Sequence, residues 1–382
     1  MNVLILTGKF GMGHNAVAQA LKEEIIEKYP AANIACSDIF EYTMPEYAES
    51  IYKTFALVAK SGNSFYNLIY KQTNHKNIKE TSFWCRFFKK KLQNLFSETQ
   101  PDVIISTLPL CSRLVSWYKE EVNAGFTLVT CITDISSHEE WIHKNTNYYL
   151  VGSKLVKRML LLKGVYEEKI FVTGIPVRKA FHNITHDFDE KKVNSKLRQK
   201  SSKHLLVMGG GLGLLPKTKE FYEGLNALDG VHTTVITGNN KKLFNLINGR
   251  YENIEAVSYT KNVAMYMNDA DVIMTKPGGI SVFEALTCEK PLLLFRPFLQ
   301  QEVNNMRFVL RNHVGTVISG KEEECLSLIK KTMQDETNLE RMKLNIKILK
   351  EQFDRNAVEY ILKREEQGIR SKIQIGKGDW VS

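Results

Sequence analysis

Twelve short apolar runs, most of them separated by stretches long enough for a helix, constrain this chain more than any single residue does. In the first half they are Val3–Leu6, Ile34–Cys36, Val103–Ser106, Leu128–Ile132, Tyr148–Val151 and Ile170–Val172. In the second half they are Leu205–Met208, Thr234–Ile236, Ala256–Ser258, Val272–Met274, Leu292–Phe295 and Thr316–Ile318. Runs that stay apolar instead of alternating suit strands buried on both faces, which is how parallel sheets sit between layers of helices. Six and six predict an α/β protein of two doubly wound, Rossmann-like domains, and 382 residues suit two cores better than one. The expected boundaries are 1–178 and 204–337, joined by a polar 179–203 linker. A helical stretch over 338–366 is expected to pack back toward the first domain, and 367–382 to form a tail.

Three of the expected strands run into glycine-rich turns. The segment Ala270 to Glu284, ADVIMTKPGGISVFE, reads as a strand, a Lys-Pro-Gly-Gly turn and a helix opening at Ser281. Such a junction offers free backbone N–H groups and the positive end of a helix dipole to an anion. Glu284, three residues on, is placed either to cap that helix or to hold a ligand's hydroxyls. Gly209-Gly210-Gly211-Leu212-Gly213 follows the strand ending at Met208, and so many glycines favour close approach of a ligand. Gly11-Met12-Gly13-His14-Asn15-Ala16 has the spacing of a dinucleotide-binding turn, with Asp38 after the next strand as a ribose partner. His14 is foreign to a pyrophosphate-binding turn. At a helix N-terminus the dipole keeps imidazole neutral and usable as a base, the alternative being a histidine that only caps the helix.

Asp269-Ala270-Asp271 has the form of a metal-binding pair but precedes its strand, whereas open α/β sheets bind ligands beyond the strands' carboxyl ends. No metal site and no cofactor are expected. Gln300-Gln301-Glu302-Val303-Asn304-Asn305 follows a strand and suits either sugar hydroxyls or the cap of a helix from Val303 to Arg311. The six cysteines form no CxxC pair, which fits a reduced, cytoplasmic chain.

The net charge of +10 is concentrated over residues 60–91, where eight Lys/Arg stand against the single acid Glu80. Phe65, Tyr66, Tyr70, Phe83, Trp84, Phe87 and Phe88 are interleaved with cations that include Lys89 and Lys90. Basic residues among large aromatics suit an anionic membrane surface or single-stranded nucleic acid. A solvated basic helix with its aromatics turned inward is the plainer alternative.

Together GMGHNAVAQAL, TGIPVR (173–178), VMGGGLG (207–213) and ADVIMTKPGGISVFEAL through QQEVNN resemble the GT-B glycosyltransferases of family 28. The resemblance is to the branch of diacylglycerol glucosyltransferases and monogalactosyldiacylglycerol synthases. It implies two domains facing a cleft and inverting, metal-independent transfer of a hexose from a UDP-sugar to a diacylglycerol-type lipid. By the same resemblance Glu284 holds the ribose, Gly211, Gly278 and Gly279 face the diphosphate, Arg178 neutralises its charge, and Gly213 and Lys276 belong to the donor-binding site. Tyr259 and Thr260 flank the uracil, and Gln301, Glu302 and Asn305 meet the donor sugar, although Phe298-Leu299 depart from the family's usual PGQE pattern. His14 becomes the general base or its orienting partner, Asp134 its steadying group, and His138 a weaker choice for that role. The basic aromatic segment then faces lipid rather than nucleic acid, placing the enzyme at the inner face of the cell membrane. The alternatives are a soluble or peptidoglycan-type acceptor, an NAD(P)-dependent oxidoreductase built on GMGHNA and Asp38, and a silent UDP-sugar-binding regulator.

Overall fold

A parallel strand that is apolar throughout must be covered on both faces, and each half of this chain supplies the helices to do it. The computed structural model describes residues 1–10, 13–61, 83–182, 203–297 and 300–378. They divide into two units, Met1–Arg178 with Phe353–Ser382, and Lys179–Gln352.

The first unit runs β1 (Asn2–Thr7), α1 (Gly13–Lys28), β2 (Asn33–Asp38), α2 (Ile39–Thr43), α3 (Pro45–Ser61), α4 (Phe83–Thr99), β3 (Val103–Ser106), α5 (Pro109–Glu121), β4 (Thr127–Cys131), β5 (Tyr148–Val151), α6 (Lys154–Leu162) and β6 (Ile170–Val172). Its sheet has the order β2-β1-β3-β4-β5-β6, with every pairing parallel. Central β4 is buried at all five positions, whereas edge strand β2 is half-open to solvent. Strand order reverses between β1 and β3, which leaves a crevice at their carboxyl ends.

The second unit runs β7 (Lys203–Met208), α7 (Lys219–Asn226), β8 (Val231–Ile236), α8 (Lys241–Ile247), β9 (Ile254–Val257), α9 (Val263–Asp269), β10 (Val272–Thr275), α10 (Gly279–Thr287), β11 (Leu292–Phe295), α11 (Gln300–Arg311), β12 (Gly315–Ile318), α12 (Glu322–Gln334) and α13 (Glu336–Lys350). Its parallel order β12-β11-β10-β7-β8-β9 reverses between β7 and β10.

The C-terminal stretch expected as one body is split. Helix α13 stays with the second unit, where Lys350 Nζ reaches the Thr287 carbonyl at 3.1 Å and Glu289 at 2.8 Å. Helix α14 (Ala357–Gly378) belongs to the first, announced by Asp354 N donating to Val172 O at 2.7 Å and followed by a Tyr29–Glu366 hydrogen bond. It also takes in residues from 367 that were expected to form a tail, and most of the expected linker lies outside the described residues.

Within the basic aromatic segment, Phe65, Tyr66 and Tyr70 lie outside the described residues, as do the side chains of Phe83 and Trp84 on α4. The rest of α4 is amphipathic at helical spacing. Phe88, Leu92, Leu95 and Phe96 enter the core with Leu4, Leu6 and Ile104. Lys89 pairs with Glu121 of α5 at 2.9 Å, while Lys90 is exposed and Phe87 is 44% exposed. Among the described residues no helix is long and apolar enough to cross a membrane.

Candidate active site

The first crevice is built around His14. Helix α1 opens at Gly13, so His14 stands in its first turn beyond the carboxyl end of β1. Its Nδ1 lies 2.7 Å from the Thr107 carbonyl oxygen, just past β3, and 3.1 Å from Thr133 Oγ1, just past β4. A carbonyl can only accept, so Nδ1 carries the hydrogen and Nε2 keeps its lone pair. Burial pushes the His14 pKa below the ordinary histidine value, and the hydrogen bond to Thr107 opposes this without cancelling it. The helix dipole acts in the same direction as burial. The result is a neutral imidazole with one basic nitrogen.

The groups expected to steady that ring are placed otherwise. Asp134 is half-buried one residue beyond Thr133, but the hydrogen bonds at Nδ1 run to Thr107 and Thr133. His138 is spent on local structure, its Nδ1 accepting from Glu140 N at 3.3 Å to cap the turn Glu139–Trp141. Asp38, the ribose partner of a dinucleotide reading, caps α2 by accepting from Phe40 N at 3.0 Å and Glu41 N at 3.2 Å, and it also accepts from Tyr52 OH. Arg178, half-buried, follows β6 and closes the first unit's leading segment. Thr107 and Thr133 escape notice in the sequence because one acts through its backbone and the other sits beside a more conspicuous aspartate.

The second crevice joins two glycine turns. Gly210 and Gly278 both face the Lys276 stem: a Cβ at either would lie 3.4 Å and 3.9 Å, respectively, from Cε. Lys276 Nζ pairs with Glu302 Oε1 at 3.0 Å, and Asn305 Nδ2 donates to Pro277 O at 3.0 Å. Glu302 and Asn305, expected at the donor sugar, therefore brace the Lys-Pro-Gly-Gly turn. The Gln301 side chain, Phe298 and Leu299 lie outside the described residues.

Helix α10 opens at Gly279 rather than Ser281, with Gly278 as its N-cap and no side-chain cap. Glu284 consequently sits in the second turn, beyond reach of the N-cap, and is only 6% exposed. The capping role is thereby removed. Because Glu302 matches the charge of Lys276, an anion arriving here meets mainly oriented N–H groups and the dipole of α10.

The first glycine turn is largely a folding device. Gly213 has φ +60°, and a Cβ there would lie 1.9 Å from Thr237 O. Asn240 Nδ2 donates to Gly213 O at 3.1 Å and Asn239 N to Gly211 O at 3.0 Å, pinning the turn to the loop after β8. The turn also does not lead straight into a helix, since α7 begins only at Lys219. Beyond β9, Tyr259 is 45% exposed and Thr260 Oγ1 accepts from Asn262 N at 3.1 Å. Asp271 accepts from His204 N at 2.7 Å at the amino end of β7, so it serves the sheet. Among the described residues no group of three or more His, Cys, Asp or Glu is placed to hold a metal ion.

Two doubly wound units, each with a polar crevice at its strand-order reversal, define a GT-B architecture. Solved structures of that fold match along nearly the whole chain. S. aureus MnaA in its UDP co-structure aligns with TM-score 0.62 at 15% identity, covering 97% of each chain. MurG of Acinetobacter baumannii aligns with TM-score 0.61 at 11% identity, covering 96% of this chain and 100% of that one. The monogalactosyldiacylglycerol synthase profile matches residues 14–177, and the glycosyltransferase family 28 C-terminal domain matches 204–361. The processive diacylglycerol β-glucosyltransferase of Bacillus licheniformis is 30% identical over 91% of both chains. That of Bacillus subtilis strain 168 is 29% identical over the same shares. The chain belongs to glycosyltransferase family 28, in the branch of the diacylglycerol glycosyltransferases, and is a glycosyltransferase.

Proposed function

We propose that the enzyme transfers a hexose from a UDP-sugar to a hydroxyl of a diacylglycerol-type lipid, with inversion and without a resident metal. The observation that carries the mechanism is His14, held as the Nδ1–H tautomer by Thr107 with Nε2 bare. The acceptor's hydroxyl proton passes to Nε2 while its oxygen attacks the anomeric carbon from the face opposite UDP. As the bond to UDP breaks, the electron pair leaves on the diphosphate. The turn at Lys276 to Gly279 and the start of α10 meet that charge with oriented N–H groups. Glu284 holds the ribose, and Tyr259 flanks the base. The lipid acceptor is supported by the relatives' names and by the match to the monogalactosyldiacylglycerol synthase profile.

A UDP-release assay over several UDP-sugars, with and without dispersed diacylglycerol, tests the reading. Release that depends on diacylglycerol and collapses in His14→Ala, with UDP binding kept, is expected. Diacylglycerol-independent turnover, or a fully active His14→Ala variant, overturns it.

A water-soluble acceptor is the second reading. It is favoured by Phe88 in the core and by Lys89 paired with Glu121, which make the described part of α4 an ordinary basic helix. Pelleting with anionic but not neutral vesicles at low salt supports the lipid; absence of pelleting favours the soluble acceptor.

A further inference from the structure

Three buried threonines converge behind His14: Thr7 at the end of β1, Thr107 just past β3 and Thr133 just past β4. Thr107 is fixed from two sides. Its N–H donates to Leu6 O at 3.0 Å, and its hydroxyl lies 2.9 Å from Thr7 Oγ1 and 3.3 Å from the His14 carbonyl. The carbonyl that receives the His14 hydrogen is therefore rigidly placed. Thr133 Oγ1 is 3.1 Å from the same Nδ1. Were Thr133 donating to a bare Nδ1, the ring and the Thr107 carbonyl would oppose lone pairs at 2.7 Å, so the hydroxyl oxygen must accept as well. One hydrogen is shared between a carbonyl and a hydroxyl.

We infer that Thr133 is a positioning residue that sets both the orientation and the basicity of His14. The inference rests on the proposed function and adds a residue to it. In the transfer step Nε2 gains the acceptor's proton, the acceptor oxygen bonds to the anomeric carbon, and the departing UDP oxygen keeps the bonding pair. The imidazole becomes cationic, its Nδ1–H becomes a stronger donor, and both acceptors bind it more tightly. A carbonyl and a hydroxyl stabilise that cation less than a carboxylate would, so the ring rests neutral yet is supported when it charges. Thr133 is the part of this arrangement that substitution can reach, because the other acceptor is backbone.

Thr133→Val removes the hydroxyl at nearly constant volume, and Thr133→Ser restores it. Steady-state kinetics and histidine-selective ¹⁵N NMR titration are read on the full chain for both. The valine variant is expected to lose about fivefold in kcat, the worth of one neutral hydrogen bond, with donor KM within about twofold of the parent. Its His14 titration midpoint moves down, and serine returns both readouts to the parent's values. Equal kcat in the valine variant and parent overturns the inference. So does an unmoved midpoint, or serine as impaired as valine. If valine prevents folding, Thr133→Ala carries the same comparison. Absence of transfer by the parent chain sinks the proposed function instead, and the NMR midpoints still decide whether Thr133 acts on the ring.

Discussion

Lys276 and Glu302 form an ion pair at 3.0 Å beside the second crevice, and the glutamate side chain is only 5% exposed while the lysine is 29% exposed. The asymmetry matters. A water-excluded carboxylate depends on its partner, whereas the lysine retains some hydration.

Lys276→Met should therefore destabilise the second unit by about 1–3 kcal/mol, less than for a fully buried pair because Lys276 keeps contact with water. The melting temperature should fall by roughly 2–4 °C for each kcal/mol lost. A Lys276→Met/Glu302→Leu double variant should recover most of the loss, since no charge is then stranded. Thermal denaturation followed by circular dichroism decides it; a double variant less stable than the single would show that the pair does more than neutralise itself.

Two glycines with nearly the same backbone angle should respond very differently to alanine. Gly213 (φ +60°) has Thr237 O 1.9 Å from a built Cβ, whereas Gly249 (φ +69°) has open space around it. Gly249→Ala should cost about 1 kcal/mol, the left-handed penalty alone. Gly213→Ala should cost more than about 3 kcal/mol or prevent folding, because backbone must move. Similar urea midpoints for the two would contradict the close approach of the loops after β7 and β8.

The pH dependence of transfer should reflect a base that is already neutral. Burial holds the His14 pKa below the ordinary value of 6.5. Activity is retained while Nε2 is unprotonated, so kcat/KM should stay level as pH falls through 6.5 and decline only lower down. An acid limb centred at or above 6.5 would show that some other group is being read.

Acid should also loosen the first unit through His143. Burial, aided by Arg113, lowers its pKa from 6.5 to about 4. A group whose pKa is depressed by folding contributes stability above its unfolded value, and loses it as pH falls toward the folded one. On the order of 2–3 kcal/mol should therefore disappear between pH 6.5 and 4. His143→Gln should flatten the urea-midpoint profile across that window; an unchanged slope would reject the assignment.

Much of this was legible from residue order. All twelve apolar runs are strands, because an unbroken apolar run beside helix-length segments has few other ways to hide itself. The glycine turns land at both strand-order reversals for the same reason. What resisted reading was the partner of each polar group. Nothing in the order of residues says that a Thr107 carbonyl meets His14, since every residue carries a carbonyl. The family resemblance puts Glu302 and Asn305 at the donor sugar, and only the fold shows that they meet Lys276 and Pro277. Ser281 looked like a helix start because serine caps well, yet Gly278 ends the extended chain three residues sooner.

The first unit owns both the opening 178 residues and those from Phe353 onward, while the second is one uninterrupted stretch. During synthesis the second unit has its whole sequence available before the first does. Residues 1–178 must wait, with the face that α14 covers still open, until α14 leaves the ribosome. A premature stop before residue 353 would accordingly spare the later-made unit and injure the earlier one.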